Sequence, residues 1–248
     1  MINKKDIIAD LHTHTAFSGH AYSTIKENIE CAKNQGIKFL ATTDHYYANG
    51  DEIDKKNELN RIKYQAVRLQ PCYDDIILID GAEFNINQDI YNPEKLLPLP
   101  WMPIGLHTWF IDVDNTSFTE LFKLYQNAIK IGFNAFVHIE RELHRVTNKN
   151  FVEYMYKLVD LAVDNDIWLE VNESSIVIND HGAAERLRIW LEYAKSRNAK
   201  IYLGSDAHYC EEVGRFDNAI KLLNDLKYPK ENILNCREDW LLDLFVKE

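Results

Sequence analysis

Short apolar runs alternate with segments of helical periodicity along most of this 248-residue chain. Seven of the runs are typical of buried strands: DIIADLH, KFLATTDH, DIILIDGAEFNI, MPIGLH, NAFVHI, IWLEVNE and KIYLGSDAH. Helices are expected over residues 22–35, 51–69, 117–131, 150–165, 182–197, 213–226 and 238–245. This alternation predicts an α/β fold of parallel strands joined by right-handed crossovers. An open doubly wound sheet and a closed or distorted barrel both fit the pattern.

The organisation predicted is a single domain from residue 1 to 248. No linker rich in Pro, Gly or Ser divides the sequence, and the length suits one large α/β domain or two small ones. Residues 85–103 hold four of the six prolines and show no helical pattern, so we expect an irregular excursion there.

The charge balance argues against several classes of partner. Lys and Arg number 28 and Asp and Glu number 39, which gives a formal charge of −11. A field of that sign repels long nucleic acids and anionic membranes, but a local cationic centre can still attract a small anion. No apolar run has the length of a membrane span or a signal peptide, and the four cysteines form no CxxC pair. A cytoplasmic protein with reduced thiols is expected.

Seven of the nine histidines fall at, or just past, the carboxyl ends of the predicted strands. These histidines are His12, His14, His20, His45, His107, His138 and His208, and Glu83 and Asp206 occupy equivalent places. The carboxyl ends of parallel strands share one face of the fold, where α/β proteins build their sites. We therefore expect the nine side chains to converge, whereas His144 and His181 stand apart from this pattern.

Such a set of imidazoles and carboxylates predicts a polynuclear metal site. Neutral imidazole and carboxylate oxygen suit Zn²⁺, Mn²⁺ or Fe²⁺, and nine donors exceed what a single catalytic ion uses. They suffice for two or three divalent ions if Glu83 bridges. Asp10 shares the strand phase of His12 and His14, so it is either a further ligand or a carboxylate that orients a ligand histidine.

At these residues the chain resembles a known family. The segments DLHTH, TTDH, GAEFN, FVH and GSDAH resemble the motifs of the PHP (polymerase and histidinol phosphatase) family. The match is closest to its small bacterial phosphatases with a trinuclear zinc site. The resemblance spans nearly the whole chain and implies a distorted seven-stranded (β/α)7 TIM-like barrel.

The resemblance also implies how the ligands are distributed. His12, His14, Glu83 and Asp206 would hold one ion. Glu83 would bridge to a second ion that His107 and His138 complete, and the third would lie among His20, His45 and His208. Glu83, Asp206 and His208 are the candidate catalytic residues, and zinc is the first choice of metal, with manganese or iron as alternatives.

The reaction expected is hydrolysis of a small phosphate monoester, with histidinol phosphate as the leading candidate. Clustered cations make hydroxide available near neutral pH and neutralise charge on a phosphoryl group, so direct attack by metal-bound hydroxide is expected. Arg141, Arg145, Asn172 and Arg215 are the candidate substrate contacts. Two alternatives remain, which are a hydrolase of a non-phosphate bond like those of amidohydrolase barrels, and a nuclease or metal-binding accessory module.

Two loops depart from the family pattern. The family often has a His-Pro-Gly turn after the fifth strand, where this chain reads HIERELHR, and the loop after TDH reads YYANGDEIDKKN. Metal binding by His138 should survive the first departure because His138 precedes it. Aromatic residues Tyr22, Tyr46 and Trp109 are expected near the mouth of the site.

Overall fold

The computed structural model describes residues 1–46, 72–73, 75–86, 99–107, 116–147 and 151–246. Ten short strands lie in these ranges: β1 Ala9–Asp10, β2 Phe39–Thr42, β3 His45–Tyr46, β4 Cys72–Tyr73, β5 Ile76–Asp80, β6 Glu83–Asn85, β7 Pro103–Gly105, β8 Ala135–Phe136, β9 Trp168–Asn172 and β10 Ile201–Gly204. They form one sheet in the order β1-β2-β5-β4 and another in the order β10-β9-β8-β7-β6-β3. Every pairing is parallel except that of β4 with β5. The predicted α/β fold with parallel strands is confirmed.

Two of the predicted strands are each divided between the sheets. The second becomes β2 and β3, and the third becomes β5 and β6. The chain changes sheet at Gly81, which forms an isolated parallel bridge with Trp101. A Cβ at Gly81 would lie 2.8 Å from the Trp101 carbonyl oxygen, so this close backbone approach requires glycine. A second bridge, between Thr13 and Ala207, joins the segments that follow β1 and β10.

Eight helices lie in the described ranges: α1 Ile25–Gln35, α2 Phe118–Ile131, α3 Ile139–Thr147, α4 Phe151–Asp164, α5 Glu173–Ile178, α6 Ala183–Ser196, α7 Asp217–Asp225 and α8 Glu238–Phe245. The predicted capping box is present at α2, where Ser117 accepts from the Glu120 N–H and Glu120 accepts in return. Helix α3 was not predicted, because its pattern is one buried pair, Ile139 and Leu143, in a short charged segment. The helix predicted over 51–69, most of the proline-rich excursion and Trp109 lie outside the described residues.

Both faces of the strands are buried. Leu40, Leu169 and Leu203 belong to a large apolar cluster that includes the helix residues Leu121 and Trp190. Other strand residues belong to a second cluster that also includes Trp101 and, from α8, Leu241; these strand residues are Phe39, Ala41, Ile79, Ala135, Trp168 and Tyr202. Alternate residues of a strand point to opposite faces, so continuous apolar runs are what a strand covered on both sides requires.

In the part of the chain that the structure describes, no helix combines the length and apolarity needed to span a bilayer. The thiols of Cys31, Cys210 and Cys236 are free.

Candidate metal centre

The segments that follow β1 and β10 are joined by backbone hydrogen bonds that bring four donors together. The Asp206 N–H donates to the His12 carbonyl at 2.8 Å, and the His14 N–H donates to the Ala207 carbonyl at 2.9 Å. His12, His14 and Asp206 are almost fully buried, and His208 is partly exposed. The cluster therefore has a buried floor and an open side.

Glu83 lies at the centre of this cluster. Its Oε1 atom lies 2.7 Å from Nε2 of His138 and 3.3 Å from Nε2 of His107. Its Oε2 atom lies within 3.4 Å of a ring nitrogen of each of three further histidines, His12, His14 and His45. Burial alone would raise the pKa of the Glu83 carboxyl, but His45, His12 and His107 together hold that pKa well below its usual range. Glu83 is thus an ionised carboxylate surrounded by five imidazoles.

His12 and His14 turn their Nε2 atoms toward each other at 3.1 Å. Nδ1 of His14 lies 3.0 Å from the Ser18 hydroxyl, which itself donates to Asp44 and so must accept from the ring. The His14 Nε2 lone pair therefore points at Asp206 Oδ1, 3.1 Å away. A lone pair facing a carboxylate oxygen is repulsive unless a cation lies between them, so this set of donors fits a divalent metal ion.

His20 and His208 repeat this arrangement at the exposed side. Nδ1 of His20 donates to the Ser18 carbonyl at 3.1 Å, and Nδ1 of His208 donates to the Asp206 carbonyl at 2.9 Å. A carbonyl oxygen can only accept, so in the neutral form of both rings the Nε2 atoms carry the lone pairs, and these atoms lie 2.8 Å apart. This pair of donors also fits a cation.

Three groups of donors each have their ligand atoms within 4.8 Å of one another: His14, His45 and His208; His12, His14 and Asp206; and His45, Glu83 and His107. The nine predicted ligands are therefore brought together. His45 lies between two groups, close to Glu83 and His107 as well as to His14 and His208. The division of the ligands among individual ions stays a prediction.

Two of the donors have left-handed backbone conformations. His138 has a φ of 30° and Asp206 has a φ of 55°, and neither is a glycine. Non-glycine residues reach this region at an energetic cost, and functional sites are among the places where such residues occur. The backbone is therefore strained at the two positions where it aims these side chains into the cluster.

The structure separates the four predicted substrate contacts into two groups. Nη1 of Arg141 donates to Oδ2 of Asp206 at 3.0 Å, and Nδ2 of Asn172 lies 3.3 Å from the same oxygen. Arg145 is exposed and lies 3.7 Å from Asp180, whereas Arg215 is exposed and makes no side-chain hydrogen bond or ion pair within the described ranges. Only Arg141 and Asn172 border the cluster, and contact of any of the four with substrate stays a prediction.

Asp10 does not face the imidazole rings, although it shares the predicted phase of His12. Its carboxylate accepts from the backbone N–H groups of Ser205 and Gly214, and from that of His12 at 3.4 Å. Glu170, which the sequence interpretation missed, contacts Nδ1 of His12 at 2.6 Å. Glu170 lies two residues before Asn172 in IWLEVNE, and this shared strand phase was the available signal.

Among the aromatic residues expected near the mouth, Tyr22 is 81% exposed and Tyr46 is buried. His181 is exposed and lies 3.5 Å from Asp180, away from the metal-ligand candidates. His144 lies in α3, outside the segments that supply the donors.

A buried carboxylate surrounded by imidazoles at the ends of parallel strands is typical of metal-binding α/β proteins. The PHP domain family model matches residues 10–174, and this chain belongs to that family.

Its relatives are described as phosphatases. A probable phosphatase of Caldanaerobacter subterraneus subsp. tengcongensis is 31% identical over 255 residues, covering 95% of this chain and 90% of the relative. A probable phosphatase of Clostridium acetobutylicum is 29% identical over 252 residues, covering 95% of this chain and 93% of the relative. With the donor cluster, these matches support a metal-dependent phosphoric monoester hydrolase.

A solved structure shares the fold. The crystal structure of histidinol phosphate phosphatase from Lactococcus lactis, complexed with zinc, L-histidinol and phosphate, matches with a TM-score of 0.61. The match has 15% sequence identity and covers 90% of this chain and 95% of that one. At this identity the likeness is one of fold alone.

Proposed function

We propose that this protein hydrolyses a small phosphate monoester at a site of two or three divalent cations, with zinc as the first choice of metal. Histidinol phosphate is the leading candidate substrate, because it is the substrate named for the Lactococcus lactis neighbour. The observation that carries the proposal is the Glu83 carboxylate, which lies within 3.4 Å of ring nitrogens from five histidines.

The chain's own groups support this chemistry. Among the described residues, the cluster gathers imidazoles and carboxylates and includes no cysteine, which is the donor set of a catalytic site and not of a closed structural zinc site. Divalent cations bound there would lower the pKa of a bound water and neutralise charge on the phosphoryl oxygens. The role we assign to Glu83 is to bridge two cation positions. Asp206 would complete the donor set at the buried floor of the cluster, and His208 would complete it on the open side.

Arg141 has the position expected of a phosphate-binding residue. Its guanidinium is partly exposed, contacts Asp206 with Nη1 and Ser174 with Nη2, and presents further N–H donors at the border of the cluster. A guanidinium matches the geometry of phosphate oxygens through paired hydrogen bonds. The amide nitrogen of Asn172 donates to both Glu170 and Asp206. We therefore assign Asn172 a role in holding the metal-ligand candidates in place, in addition to its proposed contact with substrate.

The proposal also covers the closure of the fold, the domain organisation and the location of the protein. The bridges Thr13–Ala207 and Gly81–Trp101 and the apolar cluster shared by different strands support a distorted barrel of seven βα units. A single PHP domain over residues 1–248 and a cytoplasmic location complete the proposal. The partner expected is a small phosphorylated metabolite.

The test is turnover of p-nitrophenyl phosphate and a panel of phosphorylated metabolites, with and without a chelator. Wild-type turnover should be lost on chelation and restored by Zn²⁺, Mn²⁺ or Fe²⁺. The variants His12→Ala and Glu83→Ala should lose both metal, measured by elemental analysis, and activity. Glu173→Gln is the matched control, because Glu173 is a buried carboxylate that accepts from Asn218 and Ala219 near the start of α7 and touches no donor.

Two results would overturn the proposal. Near-normal turnover with full metal content in the Glu83→Ala variant would remove Glu83 from the site. Inactivity of the metal-loaded wild-type protein on every monoester, with turnover of an amide or a nucleic acid instead, would favour one of the alternative hydrolase classes.

A further inference from the structure

Glu170 in β9 is a completely buried carboxylate with contacts to three groups. Oε1 lies 2.6 Å from Nδ1 of His12. Oε2 accepts from the backbone N–H of His138 at 2.9 Å and from Nδ2 of Asn172 at 3.1 Å. The His138 N–H and the Asn172 amide nitrogen can only donate, and Nδ1 of His12 matches the other oxygen when it carries the ring hydrogen.

The contact with His12 fixes which ring nitrogen of that histidine faces the cluster. A carboxylate oxygen accepts at this contact, so we assign the ring hydrogen of His12 to Nδ1, which leaves Nε2 directed toward His14 and Glu83.

The other oxygen of Glu170 reaches a different strand. His138 follows β8 and has the strained φ of 30°, and its N–H is held by Glu170. Asn172, also held by Glu170, reaches Asp206 with the same amide nitrogen. One carboxylate thus connects donors that follow β1, β8 and β10.

The chain leaves space for this carboxylate at Gly204. A Cβ built at Gly204 would overlap Oε1 of Glu170 and would lie 2.6 Å from Cβ of His12. Gly204 is on β10, which pairs with β9 so that Gly204 is the register partner of Asn172. The glycine is needed for close approach between two strands and a buried side chain.

We propose that Glu170 is a positioning residue that holds His12 and His138, the assigned donors of two different cation positions, in one fixed arrangement. The proposal rests on the proposed function for the assignment of those two positions. Glu170 touches neither substrate nor reacting atoms, and it acts through the histidines. Carboxylates that orient ligand histidines affect metal affinity or activity by about 10–100-fold when they are replaced.

The test compares Zn²⁺ and Mn²⁺ affinity, measured by competition with a chromophoric chelator, between the wild-type protein and Glu170→Gln. The glutamine keeps the shape of Glu170 but can accept through only one oxygen, so it must oppose a donor to either His12 or the His138 N–H. We expect affinity to fall by about 10–100-fold. Glu173→Gln, the matched control from the same segment, should keep wild-type affinity even though its stability is reduced.

A second comparison separates positioning from general destabilisation. If Glu170 acts through His12, the effect of Glu170→Gln on zinc affinity should be smaller in a His12→Gln background, where the amide is a weaker donor that can still bind a cation, than in the wild-type background. Wild-type affinity in Glu170→Gln, or an equal loss in both backgrounds, would overturn the inference. These are binding measurements, so they stand even if the metal-loaded wild-type protein turns over no phosphate monoester, which would overturn the proposed function alone.

Discussion

Arg141 and Asp206 form a partly buried ion pair in which Nη1 of the arginine donates to Oδ2 at 3.0 Å. The other oxygen of Asp206 faces Nε2 of His14 at 3.1 Å. Asp206 is therefore shared between a guanidinium and the donor cluster. Burial alone would raise the pKa of Asp206, but His12, Arg141 and His14 together hold it well below its usual range.

Arg141→Met should lower kcat/KM for p-nitrophenyl phosphate by roughly 30-fold, since a hydrogen bond to a charged group is worth about 2 kcal/mol. Arg188→Met is the control, because Arg188 is a partly exposed residue of α6 that lies 3.7 Å from Asp225. Steady-state kinetics at saturating metal make the comparison. Equal kinetics for the two variants would contradict a role for Arg141 in binding phosphate.

Metal removal should lower the thermal stability of the protein. The carboxylates of Glu83 and Asp206 lie among histidine rings whose lone pairs converge, and a bound cation stabilises the folded state over the unfolded one. At a free metal concentration 1,000 times the Kd, one ion adds about 4 kcal/mol, which for a domain of this size is on the order of 10 °C in Tm. Thermal unfolding with chelator and with added Zn²⁺ measures the shift. Superimposable curves would argue against a metal site.

Gly204→Ala should weaken metal binding although residue 204 is not a donor. The added methyl group would displace the Glu170 carboxylate and crowd His12. Overpacking of a tight site costs about 1–3 kcal/mol, so zinc affinity should fall by about 10-fold or more. Chelator competition measures the affinity, and circular dichroism verifies that the variant is folded. Unchanged affinity in a folded variant would show that the space around Glu170 is less restricted than the geometry indicates.

Asp10 should make unfolding dependent on pH in the acid range. Burial raises its pKa from 3.8 to about 6, against the effect of hydrogen bonds from Ser205 and Gly214. Because the folded protein holds this proton more tightly than the unfolded chain does, stability from Asp10 is present at low pH and is lost as pH rises through about 4 to 6.

The stability of the wild-type protein relative to Asp10→Asn should therefore fall by on the order of 3 kcal/mol between pH 4 and pH 7. Urea unfolding of both metal-free proteins at the two pH values measures the difference. A difference that stays constant with pH would contradict a raised pKa at Asp10.

The features of the fold that the sequence predicted correctly depend only on residues that are close together in the chain. The capping box of Ser117 and Glu120 and the helix Glu238–Phe245 can be recognised within a few residues, and both are present in the structure. Helix α3 was missed because one buried pair, Ile139 and Leu143, is too weak a periodic signal. The division of two predicted strands could not be anticipated, since it depends on the approach of Gly81 to the backbone of Trp101.

The candidate site, like the fold, could be predicted from the sequence only in part. The convergence of the histidines was predictable because parallel strands end on a common face, whatever their exact registers. The direction of individual side chains was not predictable. Asp10 shares the phase of His12 but hydrogen-bonds to backbone groups near β10, and Arg145 lies beside Asp180 although it is one helical turn from Arg141.

By itself the sequence determined the class of fold and the type of site, because alternating apolar runs and donors at their ends follow from local periodicity. Only the tertiary structure decided that Glu83 lies among five imidazoles and that Glu170 connects His12 to His138. Those relationships depend on strands that are far apart in the chain, on the space left by Gly204 and on two left-handed backbone conformations. No local pattern encodes such distances, because they arise only when all the strands are packed together.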